Sequence, residues 1–180
     1  MFARTARLTL RPGWPEDAPA LFRAIAHEQV AMRAARLPWP YAMDDAAAWL
    51  SLPRGPSEPR FLILRHGPDR TDLIGGIGLT DVDGWRELGY WLTPAAWGQG
   101  YATEAGRAVL HMARYALPAR PVRAFHQLAN PASGRVLEKL GLRQVGQTDR
   151  YCLAQDRMVP CAVLELPSCE EDRGRVGMAA

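Results

Sequence analysis

The chain has 180 residues, 48% of them apolar and 23% charged, with a formal net charge of +3. That length gives one domain, or at most two small ones, with room for a sizeable core. The charge is mild and scattered, which argues against a nucleic-acid arm or a membrane-surface patch. No apolar run approaches the roughly 18 residues of a membrane helix. Met1–Arg11 lacks the apolar centre of a signal peptide. Cys152, Cys161 and Cys169 are odd in number and lack C-x-x-C spacing, so they read as reduced thiols of a cytoplasmic protein. The histidines form no H-x-x-x-H pair, and no metal site is expected.

In chain order, Ala6–Arg11 alternates as a strand. Pro15, Glu16 and Asp17 open a helix with Leu21, Phe22 and Ile25 as its stripe, and the prolines of Leu37–Tyr41 break it. Asp44 and Asp45 open a second helix carrying Ala48, Trp49 and Leu50. Pro53–Pro59 is a loop. Phe61–Leu64, Leu73–Leu79 and Arg86–Leu92 form a three-strand meander turned at Gly67-Pro68-Asp69 and at Asp81–Gly84. After Pro94 the period becomes helical, with Ala102, Ala105, Gly106, Val109 and Ala113 on one face. Val122–Leu128 is a strand, and Asn130-Pro131 opens a helix closed by Gly141 whose buried face is Val136, Leu137 and Leu140. Gln144–Thr148 and Pro160–Leu166 read as a final hairpin, and residues from Ser168 as a loose tail after one domain spanning 1–167. The order predicts a mixed α/β sheet.

The most informative segment is Trp97-Gly98-Gln99-Gly100-Tyr101-Ala102-Thr103-Glu104-Ala105. Two glycines at the start of a helix expose successive N–H groups, which with the helix dipole favour a phosphate or pyrophosphate. A ligand-free glycine turn fits the same two residues. A dinucleotide fingerprint would need glycine at Thr103, and a Walker loop would need Gly-Lys-Ser/Thr, which is absent.

With Glu87–Leu92 and Pro94 before it and Asn130-x-x-Ser133, then Val136–Leu142, after it, this segment resembles the signature of the GNAT acyltransferase superfamily. Arg7–Arg11 and the Trp39–Tyr41 and Trp49-Leu50 stretches match as well. The likeness is greatest to the branch that holds the bacterial ribosomal-protein N-terminal acetyltransferases. The resemblance implies an α/β (α+β) fold: a mixed, mostly antiparallel sheet of about six or seven strands with splayed central strands, flanked by about four helices. It implies acetyl-CoA as acyl donor and a primary amine as acceptor, either a protein N-terminus or a small molecule. Neither nucleic acid nor membrane is an expected partner, and the protein would be a monomer or homodimer.

By the same resemblance Tyr90, Trp91 and Leu92 face the pantetheine arm, which lies between the splayed strands as an added strand. The amides of Gly98, Gln99, Gly100, Tyr101, Ala102 and Thr103 hold the pyrophosphate, and Asn130 reaches the arm as well as, or instead of, capping its helix. The tyrosine that many members use as general acid falls at Leu137, which leaves Ser133 either as donor to the leaving thiolate or as a first-turn cap. Glu87 is the first choice for the base, Asp81 and Asp83 for attracting a cationic substrate, and His66 and His126 are conceivable bases; solvated or packed side chains are the other reading of each. An α-amine costs only about 1.4 kcal/mol to deprotonate at pH 7, a lysine roughly 4–5 kcal/mol, so one carboxylate suits the α-amine. Glu104 stabilises its helix start, and Arg107 and Arg135 could reach the coenzyme. Trp14, Trp39, Trp49 and Trp85 line an acceptor pocket or pack the core. The loops near 27–45 and 150–160 decide the acceptor. No cysteine lies in the motif, which disfavours an acetyl-cysteine intermediate. The competing expectation, prompted by Leu137, is a non-catalytic coenzyme A-binding sensor or interaction module.

Overall fold

The structure, a computed structural model, describes residues 1–53, 55, 58–68 and 70–167. The expected tail with Cys169 lies outside them, as do Arg54, Pro56, Ser57 and Asp69 of two expected loops. Among the described residues eight strands form one sheet: β1 (Ala3–Arg4), β2 (Leu8–Arg11), β3 (Arg60–His66), β4 (Thr71–Val82), β5 (Trp85–Leu92), β6 (Val122–Gln127), β7 (Arg143–Cys152) and β8 (Arg157–Glu165). Their spatial order is β1-β2-β3-β4-β5-β6-β8-β7. Every neighbouring pair is antiparallel except β5 with β6, which is parallel.

Eight strands correct the expected six or seven. The addition is β1, whose two residues pair Ala3 with Leu10 and Arg4 with Thr9 and are too few to show alternation. Five α-helices, α1 (Ala18–Ile25), α2 (Glu28–Ala31), α3 (Met43–Ser51), α4 (Tyr101–Ala116) and α5 (Pro131–Lys139), correct the expected four. The extra α2 is a single turn that buries Val30 and Ala31 and has no side-chain cap to announce it.

Local chemistry explains the rest. Pro15–Asp17 is a 3-10 turn that feeds α1, with Asp17 holding the Trp14 N–H at 2.8 Å and Arg11 at 2.7 Å. The β4–β5 hairpin turns on Asp83-Gly84, with Gly84 at φ 87, the left-handed region a two-residue hairpin needs. Alternation along the strands feeds two apolar layers. Phe61, Ile63, Ile77, Leu79, Leu88 and Leu92 meet Ala105 and Val109 of α4 and Leu137 of α5 on one face. Leu62 meets Leu21, Ile25, Ala46 and Leu50 of α1 and α3 on the other, where Trp91 packs. Each wholly buried aliphatic side chain contributes about 1.5–3 kcal/mol, so these layers fix the sheet between two sets of helices.

Candidate active site

The strands β5 and β6 are paired at only two registers, Arg86 with Val122 and Glu87 with Arg123. Beyond them the strands part. Hydrogen-bonding groups alternate in direction along an extended strand. The Arg86 N–H donates to Pro121 O, and the Thr93 N–H to Ile74 O of β4, each at 2.8 Å. By that alternation Leu88, Tyr90 and Leu92 turn their main-chain groups toward the departed β6, while Glu87, Gly89 and Trp91 turn theirs toward β4. A cleft of about 800 Å³ occupies the gap and runs from Glu87 to the start of α4.

At that start the chain must reverse twice, and glycine permits it: Gly98 and Gly100 have φ of 73 and 79. Among the described residues no group accepts a hydrogen bond from the amides of Gly98 through Thr103; the first helical bond is from Glu104 N–H to Gly100 O, at 3.0 Å. Six N–H groups and the positive end of a 16-residue helix therefore stand open at the cleft mouth. Trp97 ties this loop to β5, its Nε1–H donating to Leu92 O at 2.9 Å. Glu104 does more than stabilise its own helix. Its carboxylate accepts from the Thr5 hydroxyl at 2.6 Å, the Arg7 N–H at 3.0 Å and the Arg7 guanidinium at 2.7 Å. Burial would raise the Glu104 carboxyl, but these donors outweigh it and hold it below the usual carboxylate range. Arg7 also reaches Gln99 O at 3.1 Å and lies over the Tyr101 ring.

The far wall is the start of α5. Asn130 caps it, Oδ1 accepting from Ser133 N–H at 3.3 Å, and nothing described accepts from its Nδ2. The Ser133 hydroxyl meets the Tyr90 phenol at 2.8 Å. Burial pushes that phenol up to about 12, outweighing the opposing bond with Ser133, so Tyr90 keeps its proton through the neutral range. His126 lines the same wall beside Gly134, where a Cβ would stand 2.8 Å from its Nε2. Leu137 is buried in the core.

On the opposite face of the sheet Glu87 receives both arms of the Arg150 guanidinium, at 2.8 and 3.1 Å, and Arg36 lies 3.8 Å away. Arg150 also lies 4.1 Å over the Phe125 ring. The segment after α2 roofs this end. Gln127 and Gln155 both donate to Met32 O, at 3.0 and 2.7 Å, and the Leu153 N–H donates to Ala35 O at 3.0 Å. The two loops expected to decide the acceptor thus meet directly.

The cleft gathers Glu87, Tyr90, Trp91, Leu92, Gly98, Gly100, Tyr101, Ala102, Thr103, Asn130 and Ser133, with Trp49, His126 and Arg135. Gln99, between the two glycines, bends its amide back to Ala95 O at 2.8 Å. Asp81 and Asp83 do not line it. Asp81 is paired with Arg86 and Arg120, and Asp83 sits in an exposed turn. His66 bonds Thr9 at 2.9 Å away from the cleft, and Arg107 is exposed outside it. Of the four tryptophans, Trp14 and Trp39 are exposed and Trp85 packs on Phe125. Cys161 does line the cleft, which motif position did not reveal, but its thiol is buried and pushed up by that burial. Arg33, Arg36 and Arg150 also line the cleft, and the pairing of Arg36 and Arg150 with Glu87, dozens of residues away, carries no local signal in the sequence. No group of three His, Cys, Asp or Glu able to hold a metal occurs among the described residues, and no described helix is long and apolar enough to cross a membrane.

A splayed sheet, a cleft along its free strand edge and an open helix start together make the architecture of a group-transfer enzyme of the acetyltransferase class. A family model for the acetyltransferase (GNAT) domain matches residues 7–143, and the chain belongs to that family of acetyltransferases. It is similar to the GNAT-family acetyltransferase from Bacillus anthracis, with a TM-score of 0.77 and 22% identity over 92% of this chain and 98% of that one. RimL, a ribosomal L7/L12 alpha-N-protein acetyltransferase solved with coenzyme A, aligns with a TM-score of 0.73 and 16% identity over 92% of this chain and 97% of that one. MccE, a microcin C7 self-immunity acetyltransferase solved with acetyl-CoA and AMP, aligns with a TM-score of 0.71 and 14% identity over 89% and 92%. At these identities the likeness is one of fold. No curated protein matches the sequence.

Proposed function

We propose that this acetyltransferase moves the acetyl group of acetyl-CoA to a primary amine by direct attack in a ternary complex. The supporting observation is the continuous path from the free edge of β5 to the six open amides at the start of α4. A pantetheine arm is a chain of amides that can add to such an edge as a strand does. A pyrophosphate fits a helix start whose own carboxylate is already neutralised by Arg7. Tyr90, Leu92 and Asn130 hold the arm, and Gly98 to Thr103 hold the phosphates.

Bound acetyl-CoA supplies a thioester whose carbonyl carbon is open to an amine. The new C–N bond forms as the C–S bond breaks. Leu92 N–H, directed into the gap, donates to the carbonyl oxygen as negative charge grows there; Trp91, directed to β4, does not. Glu87 takes the proton the amine must lose, using lone pairs that Arg150 leaves uncovered. Ser133 donates its hydroxyl hydrogen bond to the departing sulfur, and the Tyr90 phenol, 2.8 Å from that hydroxyl and 3.3 Å from Ser133 O, holds the serine in place.

The acceptor is either a polypeptide N-terminus, as the likeness to RimL suggests, or a small amine. Thiol release from acetyl-CoA against N-terminal peptides and small amines tests the reading. Release with at least one of them supports it. Tight acetyl-CoA binding without release from any of them overturns it in favour of a non-catalytic coenzyme A sensor, the reading that Leu137 favours.

A further inference from the structure

The acceptor end of the cleft has a shape and a charge of its own. On the face of β5 opposite Tyr90, the row Glu87, Gly89, Trp91 has a gap at its centre: Gly89 is exposed, and a Cβ built there would meet nothing within 4 Å. Glu87 with its two arginines walls the slot on one side and the Trp91 indole on the other. Among the described residues only Glu58 and Glu87 contribute carboxylates to the cleft, and Glu58 is turned to the amide of Asp81 at 3.0 Å. At the slot, Arg36 and Arg150 share the single carboxylate of Glu87, and Arg33 is a further cation lining the same cleft.

Arg150 spends both arms on Glu87. Arg36 stands off at 3.8 Å with two-thirds of its side chain exposed, and Arg33 lies over the Trp97 ring, donates one N–H to Gln29 O at 3.0 Å, and has no carboxylate partner among the described residues. An acceptor that were only a cation would be repelled here. One that pairs its amine with an anion would seat the amine toward Glu87 and the anion on the guanidiniums of Arg36 and Arg33, neither of which is forked to a carboxylate and both of which can take one in a two-pronged fork. We infer that the acceptor is an amine with a carboxylate a few bonds away, received over Gly89 by Arg36 and Arg33. This inference rests on the acetyl-transfer reading and names the acceptor class of that same site. Two sources share this chemistry: a free amino acid and a peptide N-terminus carrying an acidic residue.

The test compares thiol release for aspartate and glutamate with release for their α- and side-chain amides, and for peptides beginning with acidic residues with neutral ones. Calorimetric titration of acetyl-CoA accompanies each variant and reports that it is folded. The parent is expected to favour acid over amide by about tenfold or more in kcat/KM, and Arg36→Met with Arg33→Met is expected to shrink that ratio to about threefold or less. Gly89→Val, which fills the slot at a position free of backbone strain, is expected to raise the acceptor KM about tenfold while acetyl-CoA still binds. Preference among free amino acids, among peptides or among both supports the class and tells the two sources apart. Amides used as well as acids overturn it and leave acetyl transfer standing. A weaker acetyl-CoA affinity in the arginine variants with the acid-to-amide ratio intact also overturns it, assigning those arginines to the cofactor. Absence of thiol release with every amine strikes the proposed function itself.

Discussion

Tyr90 of β5 and Ser133 of α5, 43 residues apart in the chain, join hydroxyl to hydroxyl at 2.8 Å across the cleft wall. The phenol also reaches the Ser133 main-chain oxygen at 3.3 Å, so it grips the serine at two points. Ser133→Ala is expected to lower kcat by about tenfold to a hundredfold, the range for loss of a group assisting a leaving atom. Tyr90→Phe, which frees the serine hydroxyl to rotate, is expected to cost less. Single-turnover rates of thiol release check both, and equal rates for Ser133→Ala and the parent would remove the serine from the chemistry.

The same phenol carries a stability signature. Its folded pKa, about 12, lies above the ordinary value near 10 because burial penalises the phenolate. A raised folded pKa means that the contribution is fully present below pH 10 and is lost as pH climbs toward 12. Urea midpoints between pH 9 and 12 are therefore expected to fall for the parent more steeply than for Tyr90→Phe. Tyr41, also pushed to about 12 by burial, leaves a residual slope in that variant.

Gly100→Ala tests the helix start. At φ 79 an alanine costs about 1–2 kcal/mol of backbone strain, and relaxing it turns the amides of Gly100 and Tyr101 off their common direction. Calorimetric titration is expected to show coenzyme A binding weakened about tenfold, well beyond any loss of folded protein. Undiminished affinity in a folded variant would move the phosphate site elsewhere.

Arg7 and Glu104 make a sharper test because the two substitutions are expected to oppose each other. Arg7→Met leaves a carboxylate beside the anion site, worth about 1 kcal/mol against binding at a helix start. Adding Glu104→Gln removes that charge, so the double variant is expected to bind coenzyme A more tightly than Arg7→Met alone. Affinities for the parent, both singles and the double complete the cycle.

For Glu87, the pH dependence of kcat/KM separates acceptors. A peptide α-amine is expected to gain rate up to about pH 8 and then level off, while a lysine side chain continues to gain past pH 10. Glu87→Gln is expected to lower the plateau rather than move the α-amine limb. It also strands Arg150, at a cost in stability of about 1–3 kcal/mol that chemical denaturation reports.

The geometry of the α4 and α5 starts is legible in the sequence because it is built from local chemistry. Asn130-Pro131 announces the α5 cap through one side chain and one missing N–H, and Gly98 and Gly100 announce a backbone only glycine adopts readily. The surroundings of Glu87 are not. Its partner Arg150 is 63 residues away on a strand whose residues are nearly all exposed, and a strand expected over 144–148 covers only half of β7. Charge misled as well. Asp81 stood near the right strand in sequence, yet the buried Arg86 claims it. α2 escaped because four residues bury two side chains and leave no periodic stripe.

The two rungs that join β5 to β6 carry a thermodynamic consequence. The described residues supply eight strands, and on the proposed reading the pantetheine arm fills the gap as one more. A ligand that fills the gap binds the folded state alone, and at a hundred times its dissociation constant it adds about 2.7 kcal/mol to the unfolding free energy. On that reading, melting temperature and resistance to proteolysis are expected to rise with the coenzyme A concentration around the protein, and its lifetime in a cell would gauge that supply.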